Sequence, residues 1–178
     1  MTTPETLAAA LLSAGAVHLQ PDEPFTFASG LRSPIYCDNR LLIGDVAARR
    51  VVVPAFAAAC ASADVIAGTA TAGIPWAAWV AEALSLPMAY VRGAAKGHGR
   101  GRQIEGAAVQ GRRVLLLEDT ISTGESALAA AAALRAEGAE VLACVCIFSW
   151  GWQSIREAFA AASLPLTVLT PLPALLDA

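Results

Sequence analysis

The chain has 178 residues, 56% of them hydrophobic, and a formal net charge of −3 at pH 7. This length suits one domain, and the acidic balance argues against a nucleic-acid-binding surface, which is normally basic. The most apolar stretch, residues 51–63, contains Pro54 and is too short for a membrane-spanning helix, which needs about 20 residues. We therefore expect one domain over residues 1–178, with no nucleic-acid or membrane partner. The N-terminus lacks the basic segment of a signal peptide, so a cytoplasmic location is expected.

The four cysteines do not have the spacing of metal ligands. Cys37 and Cys60 are isolated, whereas Cys144 and Cys146 alternate within an apolar run, where both side chains would face the same side of a strand. Free buried thiols are therefore expected, and no metal site built from protein ligands.

The first part of the chain is predicted to be a helix followed by a hood. Helical periodicity covers residues 4–14, and the next segment, Gln20–Arg40, is rich in proline and aromatic residues and lacks helical periodicity. A non-helical segment of that length in a compact domain is usually functional. We interpret residues 1–42 as an N-terminal helix and a hood over a binding site.

From residue 43 onwards, helices alternate with short apolar strands. Helices are predicted at residues 45–61, 75–84, 124–137 and 152–161, and strands at residues 64–67, 87–91, 113–117, 141–148 and 166–169. This alternation implies parallel strands with both faces of the sheet covered. The predicted fold class is α/β, with a doubly wound, mostly parallel sheet flanked by helices and a core over residues 43–178. Ligands bind to such folds beyond the carboxyl ends of the strands.

The strand predicted at residues 113–117 is followed by two acids and a turn, in the sequence VLLLEDTISTGESA. A helix that begins at Gly124 would offer unpaired N–H groups and a partial positive charge to a phosphate. Glu118 and Asp119, placed at the end of the strand, would repel that phosphate unless a sugar lay between them, with its hydroxyls donating to the carboxylates. The alternative is a plain strand–turn–helix with an Asx or Ser/Thr cap, since short motifs also occur by chance.

A second informative loop is VRGAAKGHGRGRQIEG, residues 91–106, which combines five glycines with basic side chains. Its basic residues are Arg92, Lys96, His98, Arg100 and Arg102. A loop of this kind beside a phosphate site is suited to stabilise a departing pyrophosphate while water is excluded. The alternative is an ordinary solvated basic loop.

These motifs resemble a known family. Two acids followed by T-x-S-T-G after an apolar strand are similar to the diphosphoribosyl-binding signature of the type I phosphoribosyltransferases. Lys-Gly-His-Gly followed by Gln-Ile-Glu-Gly resembles the catalytic loop of the orotate phosphoribosyltransferases in that family. Residues 25–40, FTFASGLRSPIYCDNR, are similar to the hood of that group, and residues 68–92 to its pyrophosphate loop with the helix and strand that follow.

The resemblance implies a role for each matching residue. Lys96, together with His98 and Arg92, would be catalytic, and Ser122, Tyr36 and Cys37 would contact orotate. The residues that would bind 5-phosphoribosyl 1-diphosphate (PRPP) are Thr69, Ala70, Thr71, Ala72, Gly73, Arg92, Lys96, His98, Glu118, Asp119, Thr120, Ile121, Ser122, Thr123, Gly124, Glu125 and Ser126.

The implied reaction transfers ribose 5-phosphate from PRPP to orotate and gives orotidine 5′-monophosphate and pyrophosphate, a step of UMP (pyrimidine) biosynthesis. Mg²⁺ would be the cofactor, held mainly by substrate and water rather than by protein ligands. Members of the family are homodimers, which implies that the loop at residues 92–106 is shared across an interface.

Two alternatives stay open. One is a phosphoribosyltransferase for another base, which the hood and the Lys-Gly-His-Gly loop disfavour. The other is a non-catalytic regulator that senses PRPP and binds nucleic acid, which the acidic charge disfavours. Some branches of the orotate group have lysines at the positions of Ala28 and Ala72 and an arginine where Ser149 and Trp150 stand here, so the chain matches the PRPP motifs more fully than the base motifs.

Overall fold

The computed structural model describes residues 2–27, 30, 32–60, 62–93 and 103–178. The first elements in chain order are α1 (Pro4–Ser13), β1 (Val17–Leu19), β2 (Phe25–Thr26), β3 (Arg32–Ser33), β4 (Ile35–Cys37), α2 (Leu41–Gly44) and α3 (Val46–Ala59). They are followed by β5 (Val65–Thr69), α4 (Gly73–Leu84), β6 (Met88–Val91), β7 (Ile104–Gly106), β8 (Arg113–Ile121), α5 (Glu125–Ala136), β9 (Glu140–Ser149), α6 (Gln153–Ala161), β10 (Leu166–Pro171) and α7 (Leu172–Leu176).

Six strands form the main sheet, in the order β10-β9-β8-β5-β6-β7. All neighbouring pairs are parallel except β6 and β7, which are antiparallel. Helices cover both faces, so the predicted doubly wound, mostly parallel α/β fold is confirmed. The two central strands, β5 and β8, bring the loops at their carboxyl ends to the middle of one edge of the sheet, where ligands of such folds bind.

The core consists of two hydrophobic clusters, one on each face of the sheet. Alternation along β8 divides its side chains between them, with Leu115 and Leu117 in one cluster and Val114 and Leu116 in the other. The first cluster is covered by side chains of α1, α3, α4 and α7, and the second by side chains of α5 and α6. Burial on both faces explains why these strands are apolar throughout.

The hood consists of two small antiparallel ribbons, β1 with β4 and β2 with β3. Within the hood, the ring of Phe27 contacts that of Tyr36 at a centroid distance of 6.2 Å. Phe27 also joins the hood to the core through ring contacts with Trp150 and Trp152, at centroid distances of 5.0 and 6.2 Å. The indole Nε1 of Trp150 also donates to Ser33 Oγ across a buried 3.2 Å hydrogen bond. The hood therefore packs on the end of β9, although its strands are too short for the sequence to have predicted them.

One strand prediction was wrong in extent, and one loop prediction was wrong in part. The strand expected at residues 113–117 continues to Ile121, because β9 goes on pairing beside it, with Glu118 opposite Cys146 and Thr120 opposite Phe148. Pairing with β5 on the other side ends at Leu117, so the polar residues begin where β8 extends past its neighbour. Residues 104–106, expected to be loop, form β7, which is too short to carry an alternating pattern.

The other predicted elements match the structure to within a few residues at their ends, whereas β1 to β4, α2 and α7 were not predicted. All four cysteines are free and buried, as expected. Among the described residues, no helix is both long enough and apolar enough to cross a membrane.

Candidate functional site

The turn between β8 and α5 leaves the start of a helix open. Gly124 is the N-cap residue, with φ of +86°, and no side chain in the described part of the chain caps the helix. The expected alternative, an Asx or Ser/Thr cap, is therefore absent from the described structure. A Cβ atom at Gly124 would lie 2.7 Å from Cε2 of Phe159, so both the backbone conformation and the packing favour glycine there. The first N–H groups of α5 point at whatever occupies the space in front of them.

The loop between β5 and α4 lies against the same strand. Gly73, the first residue of α4, approaches β8 so closely that a Cβ atom there would lie 2.5 Å from the carbonyl oxygen of Leu117. A Cβ atom at Gly68 would lie 2.6 Å from the carbonyl oxygen of Gly73. The peptide bond between Ala70 and Thr71 is cis. These close approaches place residues 70–72 beside Glu118 and Asp119.

One pocket of about 230 Å³ collects most of the predicted PRPP-binding residues. It is lined by Ala70, Thr71, Ala72, Glu118, Asp119, Thr120, Ile121, Ser122, Thr123, Gly124, Glu125, Ser126 and Ala127. Two segments nearly fifty residues apart in sequence therefore form one polar pocket at the carboxyl edge of the sheet.

The two carboxylates in this pocket are held by the backbone that carries them. Glu118 Oε1 accepts from the N–H of Asp119 at 3.0 Å, and Asp119 Oδ1 accepts from the N–H of Thr120 at 2.7 Å. Among the described residues neither acid forms an ion pair. Burial raises the pKa of both carboxyls above their usual values, and the negative charge of Asp119 raises the pKa of Glu118 further. The pair therefore favours a partner that donates hydrogen bonds or brings positive charge.

A second pocket of about 260 Å³ adjoins the first and shares Ala70, Glu125 and Ser126 with it. It contains Thr69 and Arg92, at the carboxyl ends of β5 and β6. Nη1 of Arg92 donates to Glu105 at 3.1 Å, and the backbone N–H of Arg92 donates to the carbonyl oxygen of Gln103 at 2.9 Å. The described ends of the cationic loop are thus held together beside the first pocket. The catalytic residues expected in that loop, Lys96 and His98, lie outside the described residues.

Two of the three predicted base-contacting residues, Tyr36 and Cys37, lie in the hood, on β4, and the third, Ser122, lies in the turn before α5 and lines the first pocket. Tyr36 is half-buried and Cys37 is buried, and neither lines the pocket of the acid pair. The connection between hood and pocket is Asn39, whose Nδ2 donates to the carbonyl oxygen of Asp119 at 2.9 Å and to Oγ1 of Thr120 at 2.8 Å. Sequence reasoning missed Asn39, because its partners lie 80 residues away and no local pattern signals them.

A larger cavity of about 680 Å³ lies between α6 and β10. Its lining includes Ile155, Phe159 and Leu164 and none of the residues expected in the site. It offers volume without the paired carboxylates or the open helix start, so size does not identify the site in this fold.

The donor atoms of the polar pocket are suited to a hard cation that arrives with a ligand. Carboxylate and hydroxyl oxygens are the ligands that Mg²⁺ prefers. Among the described residues, no group of three or more His, Cys, Asp or Glu side chains could hold a metal ion. The pocket fits Mg²⁺ only if other oxygens, from substrate or water, complete the coordination.

Comparison with known proteins gives consistent matches. The family model for the phosphoribosyl transferase domain matches residues 48–157. The orotate phosphoribosyltransferase of Bacillus caldolyticus is 53% identical over 175 residues, which are 96% of this chain and 84% of the relative. The crystal structure of orotate phosphoribosyltransferase from Aeropyrum pernix superposes with a TM-score of 0.84 at 33% identity and covers 96% of both chains.

A further similar structure is a complex with a ligand. It is the orotate phosphoribosyltransferase of Mycobacterium tuberculosis H37Rv in complex with PRPP, with a TM-score of 0.76, 25% identity and coverage of 97% of this chain and 98% of the other. The family match spans both the loop before α4 and the turn before α5, and the half-identical relative extends the match to the hood. This chain therefore belongs to the orotate phosphoribosyltransferases, within the phosphoribosyltransferase family.

Proposed function

We propose that the protein transfers ribose 5-phosphate from PRPP to orotate and produces orotidine 5′-monophosphate and pyrophosphate for pyrimidine biosynthesis. The observation that carries this proposal is that one pocket combines an uncapped helix start with the buried Glu118 and the half-buried Asp119, neither of which forms an ion pair among the described residues. A phosphate alone would suit the helix and be repelled by the acids. A pentose phosphate satisfies both, since its 2′ and 3′ hydroxyls donate to Glu118 and Asp119 while its 5′-phosphate accepts from the turn at residues 120–126.

The diphosphate of PRPP would occupy the adjoining space. Thr69 to Gly73 would contact it through the loop before α4, and Arg92 would contact it from the end of β6. Lys96 and His98 would complete the positive surroundings. Positioned cations stabilise the charge that develops as pyrophosphate leaves, which is the main contribution a protein can make to this step.

The base would lie under the hood, against Tyr36 and Cys37, with Ser122 approaching it from the turn. Its N1 atom would form the bond to C1′ of the ribose and give up its proton to solvent, as the bond from C1′ to the diphosphate oxygen breaks and the electron pair leaves on pyrophosphate. Orientation of the two substrates replaces any need for a protein nucleophile. In this arrangement residues 1–42 act as the base-covering part and residues 43–178 as the PRPP-binding core.

Glu118 and Asp119 would be the protein carboxylates available to Mg²⁺, which would be held mainly by substrate and water oxygens and would supply positive charge against the diphosphate. Assembly as a homodimer, with the loop at residues 92–106 shared between subunits, and a cytoplasmic location belong to the same proposal. The complex of the Mycobacterium tuberculosis relative with PRPP supports the donor half of the reaction.

The test is the loss of the orotate absorbance band when the protein is mixed with orotate, PRPP and Mg²⁺, with pyrophosphate release measured in parallel. Lys96→Ala should lower kcat by roughly 100-fold or more, because it removes a cation from the leaving group. Arg112→Gln is the matched control, since this exposed arginine lies at the opposite edge of the sheet. Faster turnover of a purine or of uracil would favour the first alternative, and nucleic-acid binding without pyrophosphate release would favour the second.

A further inference from the structure

Asn39 is a buried amide at the boundary between hood and core. It is 1% exposed and follows β4 by two residues. Its Nδ2 donates two hydrogen bonds, to the carbonyl oxygen of Asp119 and to Oγ1 of Thr120, both on β8. A buried polar side chain with its hydrogen bonds satisfied holds its partners in one arrangement.

The orientation of this amide is fixed by a third hydrogen bond. Cys37 Sγ donates to Asn39 Oδ1 at 3.1 Å. Burial and, to a smaller extent, the charge of Asp119 raise the pKa of Cys37 to about 12, so the group is a thiol that can donate at neutral pH. Because a carbonyl oxygen can only accept, the NH₂ group of Asn39 must face Asp119 and the oxygen must face Cys37.

The hydrogen bond from Asn39 to Asp119 restrains the peptide unit between Asp119 and Thr120. Asn39 donates to the carbonyl oxygen of this peptide, which belongs to Asp119. The N–H of the same peptide, which belongs to Thr120, donates to Oδ1 of the Asp119 carboxylate at 2.7 Å. A rotation of this peptide would therefore release the carboxylate from the orientation that it has in the pocket. Asn39 opposes that rotation from the hood side.

We propose that Asn39 is a positioning residue that holds the Asp119–Thr120 peptide so that the Asp119 carboxylate faces the pentose of PRPP. The inference rests on the proposed function, because it assumes that the acid pair receives the ribose hydroxyls. The new element is that the hood takes part in binding PRPP, whereas the other hood side chains with a proposed role, Tyr36 and Cys37, would contact the base.

The experiment compares Asn39→Ala with Ser33→Ala in the full chain. Ser33 provides the matched control, because it anchors the hood through another buried hydrogen bond, from Trp150, and its side chain has no hydrogen bond to β8 in the described part of the chain. Binding of PRPP with Mg²⁺ is measured by calorimetry without a base, and thermal stability is measured for both variants. We expect N39A to weaken PRPP binding by roughly tenfold or more, and S33A to leave it within about twofold despite a comparable loss of stability.

A third variant, N39D, tests the direction of the hydrogen bond. Its carboxylate would face the carbonyl oxygen of Asp119 with an acceptor instead of a donor and would add a charge beside the acid pair. PRPP binding should therefore be weaker than in N39A at pH 8 and should recover relative to N39A as the pH falls and the new carboxyl gains a proton that it can donate. A merely structural role would not produce this pH dependence.

Several outcomes would overturn the proposal. PRPP affinity of N39A within about twofold of wild type would contradict it, as would an equal loss in S33A. A wild-type protein that binds PRPP but does not convert orotate would refute the proposed reaction and leave the Asn39 test intact. A wild-type protein that does not bind PRPP would refute both.

Discussion

Acidic side chains at the amino ends and at the carboxyl ends of the strands of the main sheet, here called its amino edge and its carboxyl edge, lie in opposite electrostatic environments. At the amino edge, Asp64 precedes β5 and accepts three hydrogen bonds from Arg113, at 3.0, 3.1 and 2.8 Å. These bonds lower the pKa of Asp64 to about 2. At the carboxyl edge, Glu118 and Asp119 are more buried, form no ion pair among the described residues, and have raised pKa values, although the more distant charge of Arg40 acts on Asp119.

This difference shows where the fold leaves electrostatic interactions incomplete. A carboxylate that is paired with a cation of its own chain stabilises the folded protein, and its charge and hydrogen-bonding capacity are then largely used within the chain and not available to a ligand. A buried carboxylate without a cation lowers the stability of the folded protein, and a ligand that satisfies it therefore binds with a more favourable free energy. Such groups are typical of functional sites. At the carboxyl edge, the binding of PRPP would supply hydrogen-bond donors to the two carboxylates that the fold leaves without an ion pair among the described residues.

The largest expected effect is loss of activity when one acid of the pair becomes an amide. Asp119→Asn and Glu118→Gln should each reduce kcat/KM for PRPP by about 100-fold, since an amide NH₂ would face a hydroxyl that needs an acceptor. Steady-state kinetics with PRPP as the varied substrate check this. Asp64→Asn makes the same chemical change at the other edge, and an equal loss of activity there would remove the distinction between the edges.

A second large effect is expected from Gly73→Ala, which tests the close approach that forms the site. The new methyl group would lie 2.5 Å from the carbonyl oxygen of Leu117, so the loop at residues 70–72 or β8 must move. Overpacking of this kind costs about 1–3 kcal/mol of unfolding free energy, and PRPP affinity should fall by roughly tenfold because two halves of one pocket separate. Gly44→Ala is the control, because a Cβ atom there has no neighbour within 4 Å.

Much of the fold could be predicted because its signals are local. The apolar run Val114–Leu117 indicated a buried central strand, and Gly138, with φ of +81°, ends the α5 region as expected of a glycine beyond a helix. The extension of β8 to Ile121 could not be predicted, because it depends on pairing with β9 rather than on hydrophobicity. The short strands β2 and β3 have two residues each, too few for any periodic pattern.

The site divides in the same way. Residues 118–126 were predicted together because they are contiguous and combine acids, hydroxyls and glycine. The contribution of Asn39 could not be predicted, since an Asp-Asn-Arg sequence in a turn has an ordinary explanation in local backbone hydrogen bonds. Which cation meets which phosphate also depends on three-dimensional placement that the glycines at residues 93–101 do not encode.

Glu118→Gln, which should reduce activity, is expected to increase stability, with an effect of moderate size. A carboxyl whose pKa is raised by folding stabilises the folded state fully below its unfolded pKa, near 4.5 for Glu118, and this contribution is lost as the pH rises through the folded value. Glu118→Gln removes that loss, so the variant should become more stable than wild type as the pH increases from about 4.5 to 8, by at most about 1.4 kcal/mol per pH unit. Denaturant unfolding at several pH values checks this. A variant that is less stable than wild type at pH 8 would show that the acid pair is satisfied within the chain after all.

The smallest effect is expected at Asp64. Its pKa is lowered by Arg113, so its contribution to stability is present above the unfolded value, near 3.8, and is lost as the pH falls through about 2. Asp64→Asn should lower the melting temperature at pH 7 by no more than a few degrees, because the side chains of Asp64 and Arg113 are 30% and 49% exposed and solvent screens their attraction. The difference should vanish towards pH 2, and kcat/KM should stay within about twofold of wild type. If E118Q gains stability and loses activity while D64N loses stability and keeps activity, then the two edges use the same side-chain chemistry for opposite purposes, and the direction of the pKa shift identifies which edge binds the ligand.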